Sequence, residues 1–388
     1  MKEIKIISAY KPRDGSAAGN RIEFFCKALN ELNYGLYSTS EELNSVDLPF
    51  NVKLMHCRNN EFKGNVVLRF IKETIYCFKL IKFARINNGD VIFFSIPHMS
   101  FSFFIRIIKF FFSGVKIVVD VRDLTWLYIN KNDKFFEKLI SRTFEKICLF
   151  NIARADVVFV TNGYQKKYIS SFNHNVITIQ NGISREKHKI LSNVNGGGIT
   201  VDCIKILYAG NFGLLQNLFT ILEAVRAFNC TQYQLYLVGN GADKDRIKNY
   251  VNQHRLNDRV FIFDSVSFGE LVKFYEQCDI VYGQIINTKA LKTAVPSKVF
   301  EYASLGKPII YGIRGAGEDE IKKLAGVFVV EPENVLALSA VLEELLDSSL
   351  FARVVNEALS NVDYSSSNFV RENYESVCRE TIVRLIND

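Results

Sequence analysis

The sequence predicts an α/β protein of two doubly wound parallel-sheet domains, and three observations carry that expectation. The chain of 388 residues is longer than a single hydrophobic core comfortably serves. In both halves, short apolar runs alternate with longer segments of helical periodicity. Between the halves lies a polar stretch, Ser184 to Asp202, that contains Asn195-Gly196-Gly197-Gly198. Three consecutive glycines fit poorly inside an element, so residues 184–203 are expected to form a linker. The expected domains are residues 1–183 and 204–367, with the terminal helix 368–388 packing back on the first.

In the first half, Ile4–Ala9, Val91–Phe94, Lys116–Val121, Asp156–Thr161 and Val176–Ile179 read as strands. Short apolar runs of this kind suit parallel strands buried on both faces. Asn20–Asn33, Phe101–Phe112 and Lys134–Ala153 read as helices, and Asn181-Gly182 as the closing turn. In the second half, strands Lys205–Ala209, Gln234–Val238, Val260–Phe263, Ile280–Gly283 and Pro308–Tyr311 alternate with helices Leu218–Phe228, Lys244–His254, Phe268–Cys278 and Lys298–Leu305. Helices Val335–Asp347 and Asn368–Asn387 end the chain. Two such sheets place ligands beyond the carboxyl ends of their strands, in a cleft between the domains.

Composition excludes several classes. Apolar residues make up 48% and charged residues 23%, as in an ordinary globular protein. The eight cysteines contain no CxxC pair, and the five histidines share no ligand spacing, so no metal site is expected. Asp243-Lys244-Asp245 opens a helix, where acidic residues are expected for dipole reasons alone. The opening MKEIKIISAY alternates like a strand and does not read as a leader. The most apolar stretch, Val91 to Val119, is interrupted by Pro97, His98, Arg106, Lys109, Gly114 and Lys116, too often for a membrane span. Residues 1–190 carry a net charge of +12 and the remainder −5. Arg69, Lys72, Lys79, Lys82 and Arg85 recur at near-helical spacing among apolar residues, and Arg106 and Lys109 lie in the aromatic helix 101–112. This mixture suits an anionic membrane surface better than nucleic acid.

Four turns could carry chemistry. Gly15-Ser16-Ala17-Ala18-Gly19-Asn20 follows the first strand, and Gly210-Asn211-Phe212-Gly213 follows the first strand of the second half. Small residues there let backbone N–H groups approach an anion at a helix start. Gly239-Asn240-Gly241 lacks the third glycine of a dinucleotide fingerprint. Thr293-Ala294-Val295-Pro296-Ser297-Lys298 opens a helix on which Glu301 shares a face with Lys298. A cation in a first turn opposes the helix dipole unless an anion joins it. Either Lys298 and Glu301 form a surface pair, or Glu301 accepts from ribose hydroxyls while Lys298 holds a diphosphate. Asp120-Val121-Arg122-Asp123 ends an apolar strand with charge, beside the only tryptophan, Trp126.

Taken together, these segments resemble the family 4 retaining glycosyltransferases of the GT-B fold, especially bacterial members that build O-antigens and capsules. The resemblance also covers Ala155-Asp156-Val157-Val158, Ile179-Gln180-Asn181-Gly182-Ile183, Leu222-Glu223-Ala224 and Gly306-Lys307-Pro308. It implies a nucleotide-sugar donor, a UDP-sugar by preference, bound by Gly15, Ser16, Gly210, Asn211, Gly239, Asn240, Thr293, Ala294, Val295, Pro296, Ser297 and Glu301. Catalysis would rest on Asp123, Arg122 and Lys298. It also implies retention at the anomeric carbon, no metal or other cofactor, and a lipid-linked saccharide acceptor at the cytoplasmic membrane face. The chain departs from the family at three places. The first of the usual acidic pair would stand at Thr293, the basic diphosphate clamp at Asn211 and Gln216, and the usual His-Asp at Arg122-Asp123. The less polar edge at Thr293, Ala294 and Val295 suits a deoxy or N-acetylated sugar. Two alternatives stand beside this reading: a nucleotide-sugar epimerase, and a non-catalytic nucleotide-binding subunit that kept the fold.

Overall fold

The computed structural model describes residues 3–12, 17–40, 50–56, 66–96, 100–128, 135–194, 203–229 and 231–387. The chain forms two compact units, residues 1–181 with 371–388, and residues 182–370. The first unit holds a seven-stranded sheet of β1 (Ile4–Ile7), β2 (Tyr34–Ser40), β3 (Val52–His56), β4 (Val91–Ile96), β5 (Lys116–Val121), β6 (Val157–Val160) and β7 (Val176–Thr178). Its order is β3-β2-β1-β4-β5-β6-β7, with all pairs parallel. β4 shows why its apolar run is unbroken. Ile92 and Phe94 point into one core and Val91 and Phe93 into the other, so both faces are buried.

Helices Val66–Ala84, Ser100–Phe111 and Phe135–Ile152 cover the first face through Cys77, Leu80, Ile105, Ile108, Cys148 and Ile152. Helix Ala17–Ala28 covers the other, joined by the terminal helix Glu375–Asn387 through Cys378, Ile382 and Leu385. Arg379 Nε secures that helix by donating to the Ala28 carbonyl at 3.1 Å.

The second unit holds β8 (Ile204–Asn211), β9 (Tyr233–Asn240), β10 (Val260–Phe263), β11 (Ile280–Gln284), β12 (Ile309–Gly312) and β13 (Val327–Val330). Their order is β10-β9-β8-β11-β12-β13, again all parallel. Phe219–Arg226, Lys244–Gln253 and Val335–Glu344 pack on one face, and Phe268–Gln277 and Ser297–Ala303 on the other.

Three sequence expectations change. Residues 185–192, expected in the linker, form helix Arg185–Ser192, capped by Ser184 Oγ and anchored in the second unit by buried Leu191. The backbone passes between units at 181–182 and 370–371, where Ile183 pairs with Val370; residues 195–202 lie outside the described residues. The expected single helix 368–387 is broken into Asn361–Asn368, a 3-10 turn Arg371–Tyr374 and Glu375–Asn387. Buried Phe369 and Val370 interrupt it because they serve the second unit's side of this crossing. β2, β3 and β13 had no counterpart in the sequence reading. β2, with sequence Tyr-Gly-Leu-Tyr-Ser-Thr-Ser, is half polar, and the other two lie at sheet edges, where an apolar run is not required. Among the described residues, no helix is long and apolar enough to cross a membrane.

A buried ion pair ties the first unit together. Arg21 and Asp120 are 1% and 0% exposed, and Arg21 Nη2 stands 2.6 Å from Asp120 Oδ1. Arg21 Nε donates to both carboxylate oxygens at 3.0 Å, and Nη1 donates to the Ile179 carbonyl at 2.8 Å. One side chain thus joins the helix after β1 to the ends of β5 and β7. Removing one member of a buried pair leaves the other charge uncompensated, at about 3–5 kcal/mol. Asp120→Ala should therefore lower the first unit's unfolding free energy by that order, read as a lower midpoint in urea. The double variant Arg21→Met/Asp120→Leu should recover much of the loss. A single variant within about 0.5 kcal/mol of the wild type would contradict the pair's structural role.

Candidate functional site

In the second unit the strand order reverses between β8 and β11, so the segments after them leave toward opposite faces and open a crevice at the carboxyl edge. A cavity of about 290 Å³ lies there. Gly210 and Asn211 from the end of β8, and Gly283 and Gln284 from the end of β11, form two sides; Pro296, Ser297 and Lys298 form a third. Tyr208, Tyr302 and Tyr311 line the floor.

The floor is polar but neutral. Tyr208 donates to the Asn211 carbonyl at 2.7 Å, and Tyr302 to the Tyr282 carbonyl at 3.0 Å. Burial pushes the phenols of Tyr208, Tyr302 and Tyr311 well above their ordinary range, so they stay protonated. Charge enters through Lys298, whose Nζ lies 2.5 Å from Glu301 Oε2. Burial alone would lower the Lys298 ammonium. The Glu301 carboxylate outweighs it, and the net shift is upward. The expected shared face of Lys298 and Glu301 is present. No Ser297 cap to Glu301 forms; the helix Ser297–Ala303 starts without a side-chain cap.

A buried amide holds one wall in place. Gln284 is 2% exposed, and its Nε2 donates to the carbonyls of Gln216 and Asn217 at 3.1 and 2.8 Å. Its Oε1 accepts from Tyr282 Oη and the Glu333 amide. Asn217 and Glu333 both sit at positive φ, +35° and +65°, so this network holds two strained turns against the end of β11. Gln216 Oε1, on the same wall, is buried with no hydrogen-bond partner.

The expected donor-binding residues divide. Gly210, Asn211, Pro296, Ser297 and Lys298 line the cavity, and Glu301 reaches it through Lys298. Gly239 and Asn240 do not line it. A Cβ on Gly239, at φ +155°, would fall 1.8 Å from the Gly210 carbonyl oxygen, so this glycine permits β8 and β9 to approach. Asn240 accepts from the Phe212 amide through its backbone. Thr293 is 3% exposed with its hydroxyl donated to the Ala290 carbonyl at 2.8 Å, and neither Ala294 nor Val295 lines the cavity. Gly15 and Ser16 lie outside the described residues, as does His98. Gln284 and the three tyrosines are not among the residues that the sequence marked as candidates. The usable signal was a polar residue two positions after the apolar run Ile280–Tyr282, beyond Gly283.

In the first unit, β5 ends at Val121, so Arg122 and Asp123 do not continue the strand to opposite faces. Thr161 and Gln165 donate to the Arg122 carbonyl at 3.2 and 2.9 Å and fix its backbone. The guanidinium lies 5.9 Å from the Tyr10 ring, and its Nε is buried without a partner. Burial raises the Asp123 carboxyl above its ordinary range; Arg122 and Arg21 oppose that and Asp120 adds to it. Trp126 is fully buried and belongs to the core. Among the described residues, no three His, Cys, Asp or Glu side chains are grouped to hold a metal ion.

Residues 194–361 match the family model described as Glycosyl transferases group 1. No curated protein matches the chain. Solved structures match it over both units. Sucrose-phosphate synthase from Thermosynechococcus elongatus is 16% identical with a TM-score of 0.70, covering 100% of each chain. A glycosyltransferase from Rickettsia africae is 15% identical with a TM-score of 0.63, covering 99% of this chain and 98% of that one. Anabaena HepE in complex with UDP and glucose is 13% identical with a TM-score of 0.65, covering 100% of each chain. At such identities these likenesses show the fold, which is GT-B: two Rossmann-like α/β units. Family model and fold together support a GT-B glycosyltransferase.

Two outcomes test the site. Gln284→Leu should cost about 1–3 kcal/mol, because the Glu333 amide and the Thr220 hydroxyl lose their partner, and donor affinity should fall with it. Unchanged denaturation and ligand affinity would remove Gln284 from the site. Asp123 gives a pH-dependent result. Its pKa is raised in the fold, so its ionised form destabilises at pH above the raised value, and the effect fades as pH falls toward 3.8. Asp123→Asn should therefore be more stable than the wild type near neutral pH and equal to it below 3.8, with the denaturation midpoint followed across that range.

Proposed function

We propose that this protein transfers a sugar, with retention and without a metal ion, from a nucleoside-diphosphate donor to an acceptor hydroxyl. The observation that carries this reading is the cavity at the second unit's strand reversal, with Lys298 and Glu301 at its edge, in the unit that matches the glycosyl transferases group 1 model. Asn211 and Gln216 leave the cavity wall without a cation, so Lys298 is the described side chain lining it that can offset a departing diphosphate. Glu301 supplies a carboxylate for ribose hydroxyls when the donor's phosphate draws Lys298 away. Lowering the barrier then rests on positioning and on preorganised charge. Arg122 and Asp123 are assigned to the acceptor side. The partly buried Asp123, whose carboxyl burial shifts upward, suits contact with a hydroxyl.

UDP is the proposed carrier; Anabaena HepE is described in complex with UDP and glucose. Thr293 is buried and the residues after it are apolar, so this position presents no carboxylate to a sugar hydroxyl. That favours a deoxy or N-acetylamino sugar. The proposed acceptor is a lipid-linked saccharide of bacterial surface polysaccharide synthesis, met at the inner face of the cytoplasmic membrane. The excess of +12 in residues 1–190 supports it.

A thermal-shift series with UDP, GDP and their sugars tests the donor. Binding raises stability by about 2.7 kcal/mol at a hundredfold excess over Kd. Glu301→Gln should weaken nucleotide binding by about 1.5–3 kcal/mol, the value of a charged hydrogen bond. Lys298→Ala should lower kcat more than it raises KM. The acceptor arm compares lipid-linked saccharides with soluble sugar phosphates. Turnover of donor alone would instead indicate an epimerase, and tight UDP binding with no turnover on any donor or acceptor a non-catalytic subunit.

A further inference from the structure

The outer side of the three-helix layer on the first unit is unlike a solvated surface. On helix Val66–Ala84, Cys77, Leu80 and Ala84 face the core. Opposite them, at i, i+4 and i+7, stand Ile71, Ile75 and Phe78, which are 48%, 50% and 54% exposed. Helix Ser100–Phe111 buries Phe101, Ile105 and Ile108 and turns Ile107 and Phe110 outward, Phe110 at 81% exposure. Helix Phe135–Ile152 buries Cys148 and Ile152 and presents Leu139 and Phe150. The three helices are neighbours: Phe78 meets Phe104, Phe70 meets Phe144, and Arg106 donates to the Phe150 carbonyl at 2.8 Å. Scattered apolar side chains are normal on a surface, but a contiguous layer marks an interaction site.

Charge on this side has one sign. Lys72, Lys79, Lys82, Arg142 and Lys146 are exposed among these apolar residues. The described side chains of the three helices include two carboxylates, and both are engaged. Glu73 is buried and accepts from the Ser100 amide, and Glu145 accepts from Tyr168. Apolar rings that can sink among acyl chains, with lysines that snorkel to the headgroups, match an anionic bilayer. Among the described side chains, a second copy of this face would set lysine against lysine with no unengaged carboxylate to meet it.

A groove of about 770 Å³ opens at the carboxyl end of helix Val66–Ala84, and shares Lys79, Lys82 and Phe83 with this side. Its walls carry Lys5, Lys53 and Arg85 as further cations, and Glu3 as carboxylate. Lys5 is committed to the carbonyls of Ala84 and Arg85 and to Asp90, and Lys53 to Glu3 and Tyr37. Lys79, Lys82 and Arg85 form no ion pair among the described residues. Three uncommitted cations at the mouth of a groove are arranged for a phosphate.

We infer that the outer side of this helix layer docks on an anionic lipid bilayer, and that the groove beside it takes the phosphate headgroup of an acidic phospholipid. The inference does not depend on the transfer reaction.

Co-sedimentation of the full chain with phosphatidylcholine vesicles, with and without phosphatidylglycerol, tests it. Binding should require phosphatidylglycerol and weaken as salt rises. Phe110→Asp/Phe78→Asp should lower vesicle affinity on the order of tenfold or more. Lys79→Glu/Arg85→Glu should do the same for phosphatidylglycerol vesicles. Both variants change exposed side chains and should retain the wild-type circular dichroism and UDP affinity, which separates this result from failure of the donor assignment. Equal recovery in the supernatant with both vesicle types at low salt would overturn the docking. A concentration-dependent dimer abolished by Phe110→Asp, without vesicle binding, would reassign the side to self-association. Wild-type vesicle binding by Lys79→Glu/Arg85→Glu would overturn the headgroup groove.

Discussion

Reversal of strand order beside the first strand of each sheet is the constraint on which the rest of this structure depends. A parallel sheet with right-handed crossovers must send its chain to opposite faces at that point, which leaves the carboxyl edge open there. In the second unit the opening lies between β8 and β11, and the cavity is built from their ends. Two close approaches complete it. Gly239 lets β9 lie against the Gly210 carbonyl, and Gly283 leaves space for the Tyr311 ring, where a Cβ would come within 2.4 Å. Each glycine shapes the space at the cavity.

The two units solve their polar problems differently. The first concentrates charge in its interior, where Arg21 and Asp120 join three elements. Asp123 lies three residues on, in the field of the same arginine, with burial shifting its carboxyl upward. The second keeps the floor of its cavity neutral. Its floor of phenols and the Gln284 amide hold the loops through hydrogen bonds to backbone, and the charge of Lys298 and Glu301 is confined to the edge of the cavity. A neutral, satisfied floor preserves the effect of one cation, because nothing beneath competes for it. Among the described residues seven buried polar atoms lack a partner; Gln216 Oε1 and Arg122 Nε are two of them, one on each unit's carboxyl edge.

The amphipathic logic of the helices breaks at one place. Helices that cover a sheet normally turn polar residues outward. Lys244–Gln253 does so, burying Ile247 and Val251 and exposing charge. The layer on the first unit is apolar on both sides, which burial in its own fold does not explain. The +12 excess of residues 1–190 was visible in composition, but whether Phe101–Phe112 was core or surface was not. It is both: Phe101 is buried and Phe110 exposed.

The sequence alone determined the fold class and most of the central elements, because strands buried on both faces must be apolar throughout and the helices between them must carry one apolar side. It also located Gly210, Asn211 and Pro296–Lys298, since glycine, proline and charge at strand ends are rarely neutral choices. It did not reveal the edge strands, whose burial is partial, nor that 185–192 is helical, since a short capped helix beside a glycine run resembles a linker in composition. Tertiary structure alone decided which turn residues face the cavity. Gly239 and Thr293 look in sequence like ligand contacts, yet one is spent on backbone approach and the other on a buried hydrogen bond. Gln284 and the tyrosines look like ordinary strand residues, yet they build the wall and floor. Residue type reports what a side chain can do; only its neighbours in space determine whether that capacity is already used.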